Sequence, residues 1–314
     1  FQCLSRKTSG QWILEGDIRG CFDNFAHQWM LDNIPLDQRI LNQFLKAGYI
    51  YDGILYRNKS GTPQGGLISP LLANMALDGM ERMLKEHFPG NKVHLIRFAD
   101  DFLVTADSQE TALQCKELIT EFLHERGLEL SEEKTKIVHI NEGFDFLGWN
   151  FRKFKGKFLI QPSKKAIAAI IDKVRVIIKS AKAWKQEDLI KALNPVIKGW
   201  AMYHRTVSAS MTFGKLDWVV RNMLWRWAKR RHNNKGKRWI ARKYWHPTLT
   251  RKQVFRTSTL TLENFSNTKI QYRKFIKLDA NLFIDTEYFE NRPGVFLSKQ
   301  RSIRMFLHYA HKSG

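Results

Sequence analysis

Residues 96–106 read IRFADDFLVTA, two apolar, β-rich runs that meet at Asp100 and Asp101. This pattern predicts a β-hairpin with a polar apex. An adjacent pair of aspartates is usually a solvated turn, but here the doubled charge lies between two apolar runs, where it is costly unless it is used. The stretch therefore indicates an antiparallel sheet with an acidic, functional tip.

The segments around this hairpin alternate between strand and helix signals. Residues 12–17 (WILEGD) predict a short buried strand that ends at the carboxylate of Asp17. Apolar periodicity predicts the other elements of the first half, with helices at 35–47, 71–84 and 110–126 and strands at 136–140 and 144–154. This order predicts an α+β fold with an antiparallel sheet, in which neighbouring strands bring Asp17 close to the hairpin tip.

From about residue 160 the strand signals fade and helical spacing takes over. Amphipathic helices are predicted at 164–183, 187–204 and 215–231. Gly156 and Pro162 interrupt the pattern and mark a boundary between the halves. We therefore predict a domain boundary near residues 155–163, with a basic, mainly α-helical part after it.

Charge is distributed unevenly along the chain, which carries 52 Lys and Arg against 30 Asp and Glu, a net charge of +22. Residues 1–150 hold 15 basic and 21 acidic side chains, a balance of −6, whereas residues 151–314 hold 37 and 9, a balance of +28. Self-repulsion of that size opposes compaction unless a polyanion is bound. Seven of the ten tryptophans lie in the same half, which favours nucleic-acid binding over a merely soluble cationic surface.

Other protein classes receive no support from the sequence. The apolar runs are short and interrupted by charge, so no stretch could span a bilayer, and no signal-peptide pattern is present. The cysteines, Cys3, Cys21 and Cys115, are widely spaced and form no CxxC pair, so neither a disulfide framework nor a zinc site is indicated. An intracellular, reducing compartment is the simplest interpretation.

Seven segments resemble, in order and spacing, motifs of one known family. Four are similar to successive palm motifs of reverse transcriptases: ILEGDIRGCFDNF (13–25), SGTPQGGLISPLLANMALDGME (60–81), IRFADDFLVTA (96–106) and LSEEKTKIVHINEGFDFLGWNF (130–151). Two resemble the thumb or X domain of group II intron maturases, LNPVIKGWAMYHR (193–205) and WRWAKRRHNNKGKRWIARKYW (225–245), and KFIKLDANLFIDTEYFENR (274–292) resembles a segment that the family carries beyond that domain. The resemblance covers nearly the whole chain.

The resemblance implies a group II intron-encoded reverse transcriptase/maturase. Its palm would cover residues 1–158, a basic thumb/maturase domain would cover 159–250, and a basic, DNA-binding-like extension would cover 251–314. Such a protein is an RNA-directed DNA polymerase, a nucleotidyltransferase, that binds its intron RNA and assists its splicing. In retrohoming it primes copying on a cleaved DNA target. The implied partners are intron RNA, target DNA or primer, and deoxynucleotides, with no membrane; the oligomeric state stays open. The implied location is the bacterial cytoplasm or an organelle.

For catalysis, the resemblance implies three carboxylates and two magnesium ions. Asp17 and Asp100 would be shared metal ligands, the carbonyl of Ile18 would assist, and Asp101 would add metal binding or local electrostatic support. Two magnesium ions about 3.5–4 Å apart stabilise both the attacking and the leaving oxygen of an in-line phosphoryl transfer. Nucleotide addition is a transfer of this kind.

Substrate-binding residues are implied in the same way. Phe22 matches the steric gate that excludes a ribose 2′-hydroxyl, although an ordinary core position fits it almost as well. Gln64 and Gly65 match a loop near the incoming nucleotide and template. Lys134 matches a lysine proposed to protonate the pyrophosphate leaving group, and a solvated surface lysine is an equally good account. The primer grip, a hairpin holding the primer end against Asp17, would comprise Phe146, Leu147, Gly148 and Trp149, which without the resemblance would read as a core strand.

Nucleic-acid contacts are expected from a cationic cluster in the second half. These residues, called the basic cluster below, are Arg226, Lys229, Arg230, Arg231, Lys237, Arg238, Arg242 and Lys243. They would bind phosphates of intron RNA or of template–primer. The neighbouring tryptophans, Trp225, Trp227, Trp239 and Trp245, are expected to pack in the core rather than to stack on bases.

The resemblance also has limits and alternatives. The family's basic fingers precede the first palm motif, whereas Asp17 lies only some sixteen residues from Phe1, so we expect the sequence to be a piece of a longer protein. The Cys-rich HNH endonuclease of many relatives is not predicted here. One alternative is a splicing maturase with an idle polymerase site, which the intact carboxylates disfavour. Another is a retron-type or diversity-generating reverse transcriptase, which the segments after residue 190 disfavour.

Overall fold

The computed structural model describes residues 4, 10–52, 54–56, 60–62, 66–90, 93–249, 251–272 and 287–288. The chain divides into two compact units. The first unit comprises Phe1–Phe146 and Phe151–Leu159, and the second comprises Leu147–Asn150 and Ile160–Gly314. The domain limits predicted at residues 158 and 250 stay a prediction.

An antiparallel sheet built around β1 (Trp12–Arg19) forms the centre of the first unit. On one side β1 pairs with β5 (Asp101–Ala106), which pairs with β4 (His94–Phe98). On its other side β1 pairs with β6 (Glu129–Leu130) and β7 (Lys136–His139). The β1–β5 register runs from Trp12 opposite Ala106 to Asp17 opposite Asp101, so the hairpin predicted at 96–106 does lie beside the strand that carries Asp17.

Alternation along β1 separates an apolar face from a face that carries acidic groups. Leu14 and Ile18 are buried in the main core of the unit. Residues two apart share a face, so Glu15 and Asp17 lie on the opposite side. Gly16 lies on the apolar side, where any Cβ would overlap the ring of Phe102.

Helices cover the apolar face of this sheet and supply the rest of its core. They are α1 (Cys21–Asn24), α2 (His27–Asn33), α3 (Gln38–Lys46), α4 (Ser69–Ala76), α5 (Met80–His87) and α6 (Gln109–His124). The long helix predicted over 71–84 was wrong in one respect, because it is two helices separated at Gly79. Gly79 has φ 90, a left-handed conformation that ends one helix and starts the next.

A two-stranded hairpin and a three-stranded sheet complete the strands described up to residue 162. β2 (Tyr49–Tyr51) pairs with β3 (Ile54–Tyr56). The strand predicted over 144–154 is divided into β8 (Phe144–Phe146) and β9 (Trp149–Phe154), and a further strand, β10 (Lys157–Pro162), follows it. The order of this sheet is β10-β9-β8.

The second unit is mainly helical, as the periodicity predicts. It contains α7 (Lys164–Ser180), α8 (Gln186–His204), α9 (Ser210–Arg231) and α10 (Lys237–Tyr244), followed by β11 (Trp245–His246), β12 (Val254–Phe255) and a 3₁₀ turn at Phe265–Asn267. Ser163 caps α7, since its Oγ accepts a hydrogen bond from the amide of Ala166 at 3.1 Å. One apolar core joins α7, α8 and α9 to Phe255 and Phe265.

Helices packed on antiparallel sheets confirm the predicted α+β class. Within the described ranges, no helix combines the length and the apolar character that a membrane crossing requires.

Candidate active site

The strand register places two of the predicted catalytic carboxylates opposite each other. Asp17 lies near the end of β1, and its partner across the ladder is Asp101, the first residue of β5. Directly opposed residues of an antiparallel pair have Cβ atoms about 4.5–5.5 Å apart. Two carboxylates at that spacing repel each other unless a cation lies nearby.

The tip of the β4–β5 hairpin consists of Ala99 and Asp100, because Phe98 pairs with Asp101. The predicted apex, Asp100-Asp101, is therefore displaced by one residue, which puts Asp101 in the strand. Ala99 has φ 56, a left-handed conformation that costs a non-glycine residue about 1–3 kcal/mol. Arg97 supports this turn, since its Nη1 donates to the carbonyl of Ala99 at 3.0 Å and to Oδ1 of Asn74 at 2.9 Å.

A cavity of about 380 Å³ lies beside this tip. It brings together five of the predicted site residues, Asp17, Ile18, Phe22, Asp100 and Lys134. The cavity lining is completed by Arg19, Gly20, Cys21, Asp23 and Ser131. Asp101 is not part of this lining, although it pairs with Asp17 along the backbone.

Lys134 forms an ion pair with Asp17, with Nζ 2.8 Å from Oδ2. The lysine side chain is 67% exposed and that of Asp17 is 18% exposed, so the pair lies at the mouth of the cavity. The hydrogen bond and the charge of Asp17 raise the pKa of Lys134, which therefore stays protonated.

A turn after β6 fixes Lys134 beside β1, the strand that carries Asp17. The pairing of β6 with β1 sets Leu130 opposite Ile18. The next amide, that of Ser131, donates to the carbonyl of Asp17 at 2.9 Å, and the amide of Lys134 donates back to Ser131 at 3.1 Å. The short pairing of β6 with β1 therefore places the side chain of Lys134 next to the carboxylate of Asp17.

The carboxylates of Asp17, Asp100 and Asp101 are the candidate ligands for a metal ion. Among the described residues, no group of three or more His, Cys, Asp or Glu side chains stands ready to hold one. The residue types are nevertheless those that a hard cation prefers, since the carboxylates of Asp17 and Asp100 line one cavity and Asp101 is paired to Asp17 in the sheet. The ammonium of Lys134 competes with such a cation, because it lies against Oδ2 of Asp17. The ligand chemistry therefore suits a divalent metal, although the described side chains are not gathered into a metal-binding group.

Two further ionisable side chains near this site, Cys21 and Glu15, have raised pKa values. Burial, followed by the charge of Asp100, raises the pKa of the Cys21 thiol to about 12, so Cys21 is neutral and is not a nucleophile. Burial, followed by the charge of Asp145, raises the pKa of Glu15 to about 7, although Lys136 opposes the shift. Glu15 shares its strand face with Asp17 and was not singled out by the sequence analysis.

Phe22 lies between the cavity and the core. Its side chain is half-buried against the main core and also lines the cavity. The segment 60–62 is bound to its backbone: the amide of Thr62 donates to the carbonyl of Phe22 at 2.6 Å, and a Cβ on Gly61 would overlap that same oxygen. Gln64 and Gly65, predicted to approach the nucleotide, lie outside the described residues.

The predicted primer grip contains a tight two-residue turn between β8 and β9. Its residues, Leu147 and Gly148, have φ 49 and 79, the positive values that two-residue hairpins favour. Leu147, Gly148 and Trp149 belong to the second unit, whereas Phe146 belongs to the first. The hydroxyl of Tyr203 donates to the carbonyl of Leu147 at 2.7 Å.

The basic cluster occupies the last turns of α9 and all of α10. Each of its eight residues is exposed, and none forms a salt bridge with another described residue. Arg231 additionally donates to the carbonyl of Lys182 at 2.7 Å. Trp227 and Trp245 are buried as expected, but Trp239 is 40% exposed and lies under the ammonium of Lys243, 5.0 Å from its ring centroid.

Sequence reasoning missed the residues that support these groups. Arg97 and Ser131 lie inside quoted motifs, but neither residue type signals a backbone-holding role in advance. Tyr203 and His204 lie in the quoted segment 193–205, yet the contact between Trp149 and His204 joins residues 55 positions apart. No local pattern in one sequence reveals such a contact.

Comparison with known families matches both units of the chain. The model for "Reverse transcriptase (RNA-dependent DNA polymerase)" matches residues 1–151, and that for "Group II intron, maturase-specific domain" matches residues 167–245. Among solved structures, a telomerase from Candida albicans in complex with a fragment of telomeric RNA is 12% identical with a TM-score of 0.42, over 71% of this chain and 43% of that one. That similarity is too low to bear on this chain.

Two curated relatives are each similar over about half of this chain. The group II intron-encoded protein LtrA of Lactococcus lactis subsp. cremoris is 29% identical over 48% of this chain and 37% of its own length. The protein YkfC of Escherichia coli (strain K12) is 27% identical over 48% of this chain and 50% of its own. The chain thus spans half or less of these relatives. It is homologous to the proteins encoded by group II introns, and it carries a reverse transcriptase domain followed by a maturase-specific domain.

Proposed function

We propose that this chain supplies the polymerase site of an RNA-directed DNA polymerase that also binds group II intron RNA and assists its splicing. The observation that carries the proposal is the strand register that sets Asp17 opposite Asp101, with Asp100 on the same cavity as Asp17. The reverse transcriptase match over this unit supports the same reaction.

Magnesium is the proposed metal, as two ions. Asp17 and Asp100 would hold them with the carbonyl of Ile18, and Asp101 would add a further oxygen or local negative charge. Bound magnesium supplies charge stabilisation for an in-line phosphoryl transfer. Lys134, protonated and lining the same cavity, is the proposed proton donor to the leaving pyrophosphate.

The proposed substrate is a deoxynucleoside triphosphate. Phe22 lines the cavity five residues beyond Asp17, and its ring would exclude a ribose 2′-hydroxyl. Gln64 and Gly65 are proposed to approach the nucleotide and template. The attachment of residues 60–62 to the backbone of Phe22 supports a link between that loop and the cavity.

The proposed macromolecular partners are intron RNA and, during homing, target DNA that serves as primer. Exposed cations that no described carboxylate neutralises are free to bind phosphates. The maturase-specific match, residues 167–245, contains the whole basic cluster and supports RNA binding by this unit. In splicing, the unit would hold folded RNA while the RNA performs the chemistry.

One observation favours a second function, a splicing maturase whose polymerase site is idle. The ammonium of Lys134 occupies Oδ2 of Asp17, one of the two oxygens through which this carboxylate would hold a metal. If that ion pair persisted in the nucleic-acid complex, metal binding would be opposed and only the RNA-binding role would remain.

Replacement of Asp100 or Asp101 by alanine separates these functions. In the full-length protein, either variant should abolish magnesium-dependent primer extension, a loss of at least about 10³-fold, because charge stabilisation at the reacting phosphate is removed. Intron RNA binding, measured by filter retention, should stay within about twofold, since the basic cluster is untouched. Asp107→Ala, an exposed carboxylate just beyond β5, is the matched control.

Each outcome has a definite meaning. Retained extension by Asp100→Ala and Asp101→Ala would remove the catalytic assignment. Extension absent from the unaltered protein, with RNA binding intact, would leave the idle-site maturase as the function.

A further inference from the structure

The Leu147–Gly148 turn adopts a conformation that its own sequence does not favour. Leu147 has φ 49, and residues with a branched side chain rarely enter the left-handed region. Such a conformation persists where surrounding contacts over-determine it. The holding contacts should therefore be identifiable around the turn.

Hydrogen bonds to both carbonyls of the turn come from the helical unit. The hydroxyl of Tyr203, on α8, donates to the carbonyl of Leu147 at 2.7 Å. The amide of Ser163, just before α7, donates to the carbonyl of Gly148 at 2.9 Å. Backbone carbonyls that find no donor within the protein depend on water, so these two hydrogen bonds help to fix the turn in one orientation.

The next residue, Trp149, is held by the same helix. Its ring stacks on that of Tyr203 with 5.0 Å between centroids and a 16° angle between planes. Its indole Nε1 donates to Nδ1 of His204 at 3.0 Å. Burial lowers the pKa of His204 to about 4, so the imidazole is neutral at physiological pH and can accept this hydrogen bond.

We propose that Tyr203 is a positioning residue for the Leu147–Gly148 turn, with His204 as its partner on Trp149, and that together they set where the turn meets the end of the primer strand. The proposal rests on the proposed polymerase function. Residues 147–150 group with 160–314 rather than with the unit that carries Asp17. The turn is thus held by a helix of the maturase-specific match, since Tyr203 lies on α8.

Tyr203→Phe tests the proposal, because it removes the hydroxyl and keeps the ring that stacks on Trp149. The matched control is Tyr272→Phe in the same unit, whose hydroxyl lies 3.5 Å from Oγ of Ser208. In the full-length protein, Tyr203→Phe should raise KM for the primer–template about fivefold, the factor expected from the net loss of one hydrogen bond. KM for the deoxynucleotide should not change, and the control should behave as the unaltered protein.

A second measurement needs no polymerase activity. Hydrogen exchange should show faster exchange of the amides at residues 147–150 and at Ser163 in Tyr203→Phe than in Tyr272→Phe. The expected result is loosening of the turn together with weaker use of the primer.

Two results would overturn the proposal. One is a primer KM for Tyr203→Phe equal to that of the control. The other is a parallel rise in both KM values, which would indicate general damage rather than positioning. Failure of the unaltered protein to extend any primer would refute the proposed function instead, and with it the primer role of the turn, while hydrogen exchange would still decide whether Tyr203 holds the turn.

Discussion

At the residue scale, His204 shows how a buried histidine can make a domain sensitive to acid. The side chain is 2% exposed and lies among Trp149, Trp200 and Tyr203, with the Trp200 ring centroid 4.1 Å from its own. Burial lowers its pKa from the ordinary value of 6.5 to about 4. Between these pH values the unfolded chain binds a proton that the folded chain does not. The contribution of His204 to folding stability is therefore complete above about pH 6.5, declines as pH falls below that value and is lost by about pH 4.

His204→Asn should remove that loss of stability. Asparagine places an oxygen near the position of Nδ1, so it can still accept from Trp149, and it does not titrate in this range. Between pH 7 and pH 4.5 the unfolding free energy of the unaltered protein should fall by on the order of 2 kcal/mol more than that of the variant. Urea unfolding followed by tryptophan emission measures this, since seven of the ten tryptophans follow residue 150.

His246→Asn, a half-buried histidine of the same unit, is the control for this experiment. If His204→Asn and His246→Asn gave the same pH dependence, the buried imidazole would not be the source of the acid sensitivity.

Single residues were predictable from sequence where a motif defines them. The nearness of Asp17 to the β4–β5 tip followed from two strand patterns and their place in a sheet. The ion pair between Lys134 and Asp17 did not follow, because it depends on a two-residue strand, Glu129–Leu130, whose apolar pattern is too short to recognise. Contacts between residues that are distant in sequence, such as Trp149 and His204, could likewise not be predicted.

At the scale of elements, Arg126 joins two helices of the first unit. Its guanidinium Nε donates to the carbonyl of Ala76 at the end of α4, and its Nη1 donates to the carbonyl of Phe122 in α6. It also lies over the rings of Trp29 and Phe122 at 4.3 and 3.4 Å from their centroids. Burial lowers the pKa of Arg126, as expected for a cation taken out of water.

Arg126→Met should destabilise this junction. Methionine fills a similar volume, but it leaves the carbonyls of Ala76 and Phe122 without their donor, at a cost of about 2 kcal/mol. That change should accelerate hydrogen exchange of the α6 amides by about 30-fold. Arg39→Met, on the exposed side of α3, should leave those rates unchanged.

If the α6 amides exchanged at the same rate in Arg126→Met and in Arg39→Met, water would be replacing the hydrogen bonds of the guanidinium without a loss of stability. The junction would then depend on apolar packing alone.

Elements were predictable where apolar periodicity is long, and their ends were not. The helices α6, α7 and α8 agree with prediction within a few residues. The predicted 71–84 helix and 144–154 strand failed where a residue takes a positive φ, at Gly79 and at Leu147–Gly148. Glycine tolerates several conformations, and Leu147 gave no signal at all, because tertiary hydrogen bonds rather than local preference impose its conformation.

At the scale of the whole molecule, charge separates the first half of the chain, which carries the proposed polymerase site, from the basic second half. The balance of −6 over residues 1–150 against +28 over 151–314 was read from sequence alone, and the structure adds which cations are exposed. Within the basic cluster, Arg230, Arg238 and Arg242 have no hydrogen-bond or salt-bridge partner among the described residues, whereas Arg231 holds the carbonyl of Lys182. Those three arginines are therefore the cleanest probes of phosphate binding.

Combined replacement of Arg230, Arg238 and Arg242 by glutamine should weaken intron RNA binding and flatten its salt dependence. Each lost phosphate contact removes about 0.7–0.9 from the slope of log K against log salt, so the slope should fall by about 2–3. The measurement is RNA affinity by filter binding at KCl concentrations from about 50 to about 300 mM, a range over which phosphate contacts weaken steeply.

The matched control replaces three exposed lysines of α7, Lys165, Lys173 and Lys179, and so removes the same charge from the same unit. A localised interface predicts a reduced slope for the arginine variant only, because a contact releases counterions at one place. An equal reduction in both variants would mean that RNA senses the diffuse positive field of the unit, and the basic cluster would lose its status as the binding site.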